Sequence, residues 1–298
     1  MSATRPSPIS RILLSAAALG VSACGLLGGG DSSPTGPTAP PAAGSAIVYD
    51  AIGASDADGI GSSVECPPFT DCPNGMGYPQ VATRQLKAQG FSVSLTNYGI
   101  PTAVIGPDFQ QLALQNNRTV LGNLISSEMP FVRQTATLVT IFAGGNDINV
   151  ITAALGNGAG GTDQAGYVDA QVKAFAADYQ TLLNGIRSRA GSARIVAFNV
   201  PNLAGLPFLA TASLAQRQAA QRAAVGMTGV VNALTSNNVI VVDLMCDARS
   251  YVPSNYSSDG FHPNDAGYAF VAAEVVRAVT SSSYPLPQAS CSFMTLAH

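Results

Sequence analysis

Two histidines occur in the chain, and one of them, His298, is its last residue. The other, His262, sits in Ser258-Asp259-Gly260-Phe261-His262-Pro263-Asn264. Imidazole is the side chain best suited to exchange a proton near neutral pH, so proton-transfer chemistry in this chain converges on His262. An aspartate three residues upstream is placed to hold the ring in one tautomer and to stabilise the imidazolium. A base of this kind needs a nucleophile. The segment Gly53-Ala54-Ser55-Asp56-Ala57-Asp58-Gly59 offers Ser55 between glycines that permit a tight turn and a close backbone approach. A serine capping a helix would look the same locally. Further on, Ala143-Gly144-Gly145-Asn146-Asp147 presents the Asn146 amide, and Asn97-Tyr98-Gly99-Ile100-Pro101 presents the Gly99 N–H. An amide aimed at a developing oxyanion contributes roughly 2.7–4 kcal/mol to the transition state; in its absence, either segment is an ordinary turn. Taken together, these residue types point to acyl transfer through a serine, with Ser55 attacking, His262 as base and Asp259 as its orienting acid. Asp243 and Asp247 are competing acids further from His262 in sequence, and the local spacing favours Asp259.

The elements that would position these groups are legible as apolar runs. Residues 46–49, 91–95, 138–142, 194–199 and 239–242 are short, nearly all-apolar strands. Between them, residues 81–89, 167–189, 214–234 and 266–280 carry helical periodicity; on the second of these Val172, Phe175, Tyr179, Leu182, Leu183 and Ile186 share one face. Strands of this kind alternating with helices predict a parallel sheet covered on both faces. The expected fold is a flavodoxin-like three-layer α/β/α sandwich with a mostly five-stranded parallel sheet. In such sheets ligands bind beyond the carboxyl ends of the strands, where the Ser55, Gly99 and Asn146 segments fall.

Taken in chain order, the serine turn after the first strand, the glycine after the second, the Gly-x-Asn-Asp segment after the third and the Asp-x-x-His-Pro block resemble the SGNH/GDSL hydrolase family over residues 45–280. The resemblance implies Ser55 as nucleophile, His262 as base and Asp259 as its orienter. It also implies an oxyanion hole from the Ser55 N–H, the Gly99 N–H and Asn146, with no metal and no organic cofactor. One departure stands out: the family's Gly-Asp-Ser reads Gly53-Ala54-Ser55 here, at a position outside the triad. A Gly-x-Ser-x-Gly elbow, the mark of the α/β-hydrolase fold, is absent. The substrate is expected to be a carboxylic ester, of lipid, short-chain or aryl type. Removal of acetyl groups from polysaccharide is the alternative, and a catalytically silent surface-binding lipoprotein the reading from another class. Phe69, Met76, Tyr78, Ile100, Val104 and Ile105 are candidates for an apolar acyl pocket, bordered by the segments 60–80 and 156–166.

Only 10% of the 298 residues are charged and the net charge is −3, which leaves no electrostatic footprint for nucleic acid. At the start of the chain, Arg5 and Arg11 precede an apolar run over residues 12–21, too short to span a bilayer. It ends in Val21-Ser22-Ala23-Cys24, which resembles a bacterial lipobox whose cysteine becomes lipidated. Residues 1–23 are therefore expected to be a lipoprotein signal peptide. Lipidated Cys24 and a Gly/Ser/Pro/Thr tether would follow to residue 43, and the hydrolase domain would occupy 44–298. The expected protein is exported, monomeric and lipid-anchored at the cell envelope, and Gly25 resembles the outer-membrane sorting pattern. Four cysteines then remain for an oxidising compartment, and four allow three pairings. Local closure favours Cys66–Cys72, leaving Cys246–Cys291 to tie down the C-terminal tail. Neither pair has the neighbouring histidines or spacing of a zinc site.

Overall fold

The computed structural model describes residues 39–298; the expected signal segment, Cys24 and the expected tether up to residue 38 lie outside the described residues. The apolar runs form five strands: β1 (Ala46–Gly53), β2 (Ser92–Asn97), β3 (Leu138–Phe142), β4 (Arg194–Phe198) and β5 (Ile240–Val242). They make one wholly parallel sheet in the order β2-β1-β3-β4-β5. Every residue of β3 and β4 is buried, as a strand covered on both faces requires, whereas β2 at the edge leaves Ser92 and Ser94 exposed. The winding direction reverses between β1 and β3, so the crevice of this sheet lies at the carboxyl ends of those two strands.

Among the described residues, seven helices accompany the sheet: α1 (Ser55–Asp58), α2 (Tyr78–Ala88), α3 (Pro107–Gln115), α4 (Gly145–Gly156), α5 (Gln164–Arg189), α6 (Leu214–Ala233) and α7 (Asp265–Thr280). α2 packs with α7, while α3 to α6 pack among themselves, and the two groups complete the three layers. Four of the helices follow the sequence periodicity. α4 does not, because Ile148, Val150, Ile151, Ala154 and Leu155 are buried and the other positions up to residue 155 are at least half-buried, which leaves no exposed face to set the period. The Gly-rich turn expected at Asn146 is in fact the first turn of this helix.

The core beneath the crevice is aromatic. Phe142 and Phe198 stack across adjacent strands at 4.7 Å, and Tyr78 from α2 meets both edge-on. The hydroxyls of Tyr49 and Tyr78 both reach Thr140 Oγ1, at 3.0 and 3.1 Å, so burial leaves neither without a partner. Removing each such ring from water contributes on the order of 2–3 kcal/mol and makes the floor of the site rigid. Both expected disulfides are present, Cys66–Cys72 and Cys246–Cys291. The second ties the tail to the segment that leaves β5.

Candidate active site

Ser55 is delivered directly by β1. The strand ends at Gly53, Ala54 turns the chain, and Ser55 opens the short helix α1. That helix stops at Gly59 in the left-handed conformation (φ 75°), where a Cβ would lie 2.5 Å from the Gly77 nitrogen, so only glycine fits. The turn buries Ser55 to 4% exposure.

His262 is held by the entry to α7. Asn264 caps that helix by accepting from the Ala266 and Gly267 N–H groups, and its own amide donates to the Ser254 and Tyr256 carbonyls. The Ser257 N–H donates to the His262 carbonyl at 2.8 Å, closing the loop across its base. So fixed, the ring places Nε2 2.8 Å from Ser55 Oγ and Nδ1 2.6 Å from Asp259 Oδ2, although 207 residues separate Ser55 from His262. A carboxylate only accepts, so Nδ1 carries the hydrogen and Nε2 is left to accept from the Ser55 hydroxyl. Asp259 Oδ1 meanwhile accepts from Ser257 Oγ and from the Phe261 and His262 N–H groups. Burial opposes its charge, but these bonds and the one from the imidazole outweigh it and hold the carboxyl down at about 2. The acid is ionised at any pH at which the protein would work.

Asn146 lies on the first turn of α4, which follows β3. One hydrogen of its amide goes to the Ala103 carbonyl at 2.9 Å, which orients the group and leaves the other hydrogen available. Its neighbour Asp147 is wholly buried and accepts from the Ile105 N–H. Gly99 is pressed against the serine turn, where a Cβ would sit 2.6 Å from that of Ala57. Its N–H is engaged by a long bond to Asn97 Oδ1 at 3.2 Å, so it is less free than the Asn146 amide to meet an oxyanion. Asp243 and Asp247 are committed elsewhere, the first to Asn199, Cys246 and Gln288, the second to Arg249.

The acyl-pocket expectation is corrected. Tyr78, Val104 and Ile105 are core residues with no exposure, and Phe69 stands 49% exposed against Tyr98 and Phe131. The segment 156–166 begins at the far end of α4, roughly 17 Å along the helix from Gly145, and lines no part of the cleft. Only the start of the segment 60–80 reaches the site, at Gly61, where a Cβ would lie 2.9 Å from that of His262. A pocket beside the Ser55 turn is instead walled by Ala54, Ala103, Phe142, Asn146, Val200 and Phe261, and leaves about 60 Å³ of free space; neither Ser55 nor His262 lines it. Asp56 also borders it. Burial raises the Asp56 carboxyl above the ordinary range, although the nearby His262 offsets part of the rise. No sequence pattern marks Asp56, because its position next to Ser55 says nothing about which way it faces.

The profile of the GDSL-like lipase/acylhydrolase family matches residues 51–270. Among solved structures, a lipase from a goat rumen metagenome is 18% identical, with a TM-score of 0.54 over 78% of this chain and 97% of that one. The extracellular lipase of Streptomyces rimosus is 17% identical, with a TM-score of 0.54 over 79% and 99% of the two chains. An acetylxylan esterase from Geobacillus stearothermophilus is 15% identical, with a TM-score of 0.51 over 82% and 97%. At these identities the likeness is one of fold. No curated protein matches the chain. With the serine turn, the Gly-x-Asn-Asp segment and the His262 block all inside the matched span, the chain belongs to the GDSL-like lipase/acylhydrolase family and is a carboxylic ester hydrolase.

Proposed function

We propose that this protein is an exported serine esterase working through an acyl-enzyme. Ser55 attacks the ester carbonyl while His262 Nε2 takes its proton, and Asp259 stabilises the imidazolium that results. The carbonyl oxygen, now negative, is held by the free hydrogen of Asn146 and by the Ser55 N–H, with Gly99 sharing its N–H between Asn97 and the oxyanion. Collapse of the tetrahedral intermediate breaks the bond to the alkoxide, which leaves with the proton from His262. Water then gives a proton to His262 and attacks the acyl carbon; the bond to Ser55 Oγ breaks, His262 returns the proton to Oγ, and the acid leaves. The observation that supports this reading is the unbroken series of bonds from Asp259 Oδ2 through His262 to Ser55 Oγ, at 2.6 and 2.8 Å.

The pocket beside the Ser55 turn supports a small acyl group. Its 60 Å³ or so accommodates a few water molecules, at 10–15 Å³ each, or an acyl group of two or three carbons. Short acyl esters, including O-acetyl groups on a polysaccharide, therefore fit better than long fatty acyl chains. Hydrolysis of p-nitrophenyl acetate, butyrate, octanoate and palmitate by the chain from Gly25, beside its Ser55→Ala variant, tests both points. Activity lost in the variant and falling with acyl length is expected. Equal activity in the two proteins would mean that the nucleophile is another residue.

The lipobox-like Val21-Ser22-Ala23-Cys24 supports a lipid anchor on Cys24 and residence at the cell envelope, facing the periplasm or the outside. Each buried CH₂ adds about 0.8 kcal/mol, so several acyl chains would hold the protein firmly. Cys24→Ser should release it into the soluble fraction; unchanged partition into membranes would remove the anchor from this account.

A further inference from the structure

Three buried carboxyls surround the site without belonging to its relay: Asp58, Glu128 and Asp147. Glu128 is the one that grips the serine turn. It closes a short π-helical turn, Leu124–Glu128, has no exposure, and its Oε2 accepts from the Gly53 N–H at 2.7 Å. That N–H lies past the paired stretch of β1 and β2, which ends with Asn97 opposite Ala51; the Gly53 carbonyl still accepts from the Ile100 N–H, but its N–H finds no acceptor there. Glu128 thus supplies the acceptor that the ladder lacks, two residues ahead of Ser55.

The far end of the same connection reaches the oxyanion amide. The Leu124 and Ile125 N–H groups donate to the Val104 and Ile105 carbonyls, beside a parallel bridge between Val104 and Asn123. Ala103 accepts from the Asn146 side chain, and the Ile105 N–H donates to Asp147. One irregular ladder outside the main sheet therefore joins Gly53, through Glu128, to Asn146. Burial favours the uncharged carboxyl at Glu128, which suits a group with one bond to Gly53 and an Oε1 without a partner.

We propose that Glu128 is the positioning residue of the active site: its carboxyl holds the Gly53 N–H so that the Ser55 hydroxyl and the Asn146 amide keep their spacing. The role explains why a carboxyl is buried where an apolar side chain would pack at lower cost. It rests on Ser55 acting as the nucleophile.

The test compares Glu128→Gln and Glu128→Ala with the native chain, using labelling of Ser55 by a fluorophosphonate, kcat and KM on p-nitrophenyl acetate, and thermal melts. Activities are divided by the fraction of sites that label. Glutamine keeps a carbonyl oxygen where Gly53 needs one and should stay within about threefold of native kcat per site. Alanine should lose tenfold or more in kcat and in labelling rate, with KM changed less than twofold. Should Glu128→Ala not fold, Glu128→Met, which fills similar volume without an acceptor oxygen, is held to the same criteria. A fall in melting temperature with kcat per labelled site unchanged would make Glu128 a fold-stabilising residue only and overturn the proposal. So would a glutamine variant as impaired as the alanine one. No labelling of the native chain would overturn the serine-esterase reading and this one together, whereas labelled but unaltered variants would overturn this one alone.

Discussion

The division of labour between the two oxygens of Asp259 makes Asp259→Asn a sharp perturbation. Oδ1 accepts all three bonds that shape the loop, from Ser257 Oγ and from the Phe261 and His262 N–H groups, whereas Oδ2 faces the imidazole alone. An asparagine can keep its carbonyl on the Oδ1 side and put its NH₂ where Oδ2 was. The loop then survives, but the NH₂ donates to Nδ1, which forces the ring hydrogen onto Nε2 and leaves nothing there to accept from Ser55. Loss of the correct tautomer costs about 10⁴ in kcat, or about 5.5 kcal/mol of transition-state stabilisation. The effect on stability is of a different size. The Asp259 side chain is 47% exposed, so solvent screens the pair and its loss costs about 1 kcal/mol or less, a shift of roughly 2–4 °C in Tm. The assay is kcat/KM on p-nitrophenyl acetate for native and variant, with melts recorded on the same samples. An activity loss under tenfold would refute the reasoning and direct attention to Asp56, the other carboxylate whose charge is felt at His262. A collapse in Tm would refute it differently, by showing that the amide does not preserve the loop.

Other consequences can be checked alongside. Asn146→Ala removes a donor with a hydrogen to spare, and kcat should fall about 10²–10³-fold with KM little changed; a loss confined to KM would make Asn146 a substrate-binding group. Replacing Cys246 and Cys291 by serine opens a bridge across a sequence separation of 45, against 6 for Cys66 and Cys72. Loop-closure entropy puts the two costs at about 4 and about 2.4 kcal/mol, so the first pair should lower Tm more, and the reverse order in melts would refute the entropic account. Burial raises the carboxyls of Asp147 to about 7 and Asp58 to about 8, above their ordinary value of 3.8. Between about pH 4 and 8 the folded chain therefore holds protons that the unfolded chain releases, and stability falls as pH rises through that window. Tm should be higher near pH 5 than near pH 8.5; a flat or rising trend would contradict the assignment. Asp259, held at about 2, works in the opposite sense but only below its ordinary range.

Much of this site was legible in the chain because its logic is local. Strands bury both faces, so they read as unbroken apolar runs. Their polar ends read as Gly-rich motifs, and a single internal histidine leaves little choice of base. Asp259 and Asn264 lie within three residues of His262, where spacing alone predicts a bond or a cap. The missing parts are those whose partners are remote. The pocket walls come from the ends of three strands and from the His262 loop, so no window of sequence contains them, and the apolar residues nearest the motifs turn out to be core. α4 hides because a helix buried on most sides has no polar face to set its period. Glu128 carries no local mark, being one acid in an irregular turn, and acquires its role only when Gly53 is brought within 2.7 Å of it. Residue types and short spacings thus determined which groups could react and at which strand ends they stand. Tertiary structure alone decided the 2.8 Å contact between Ser55 and His262, the spare hydrogen of Asn146 and the size of the pocket, because each depends on distances between segments that only close packing sets.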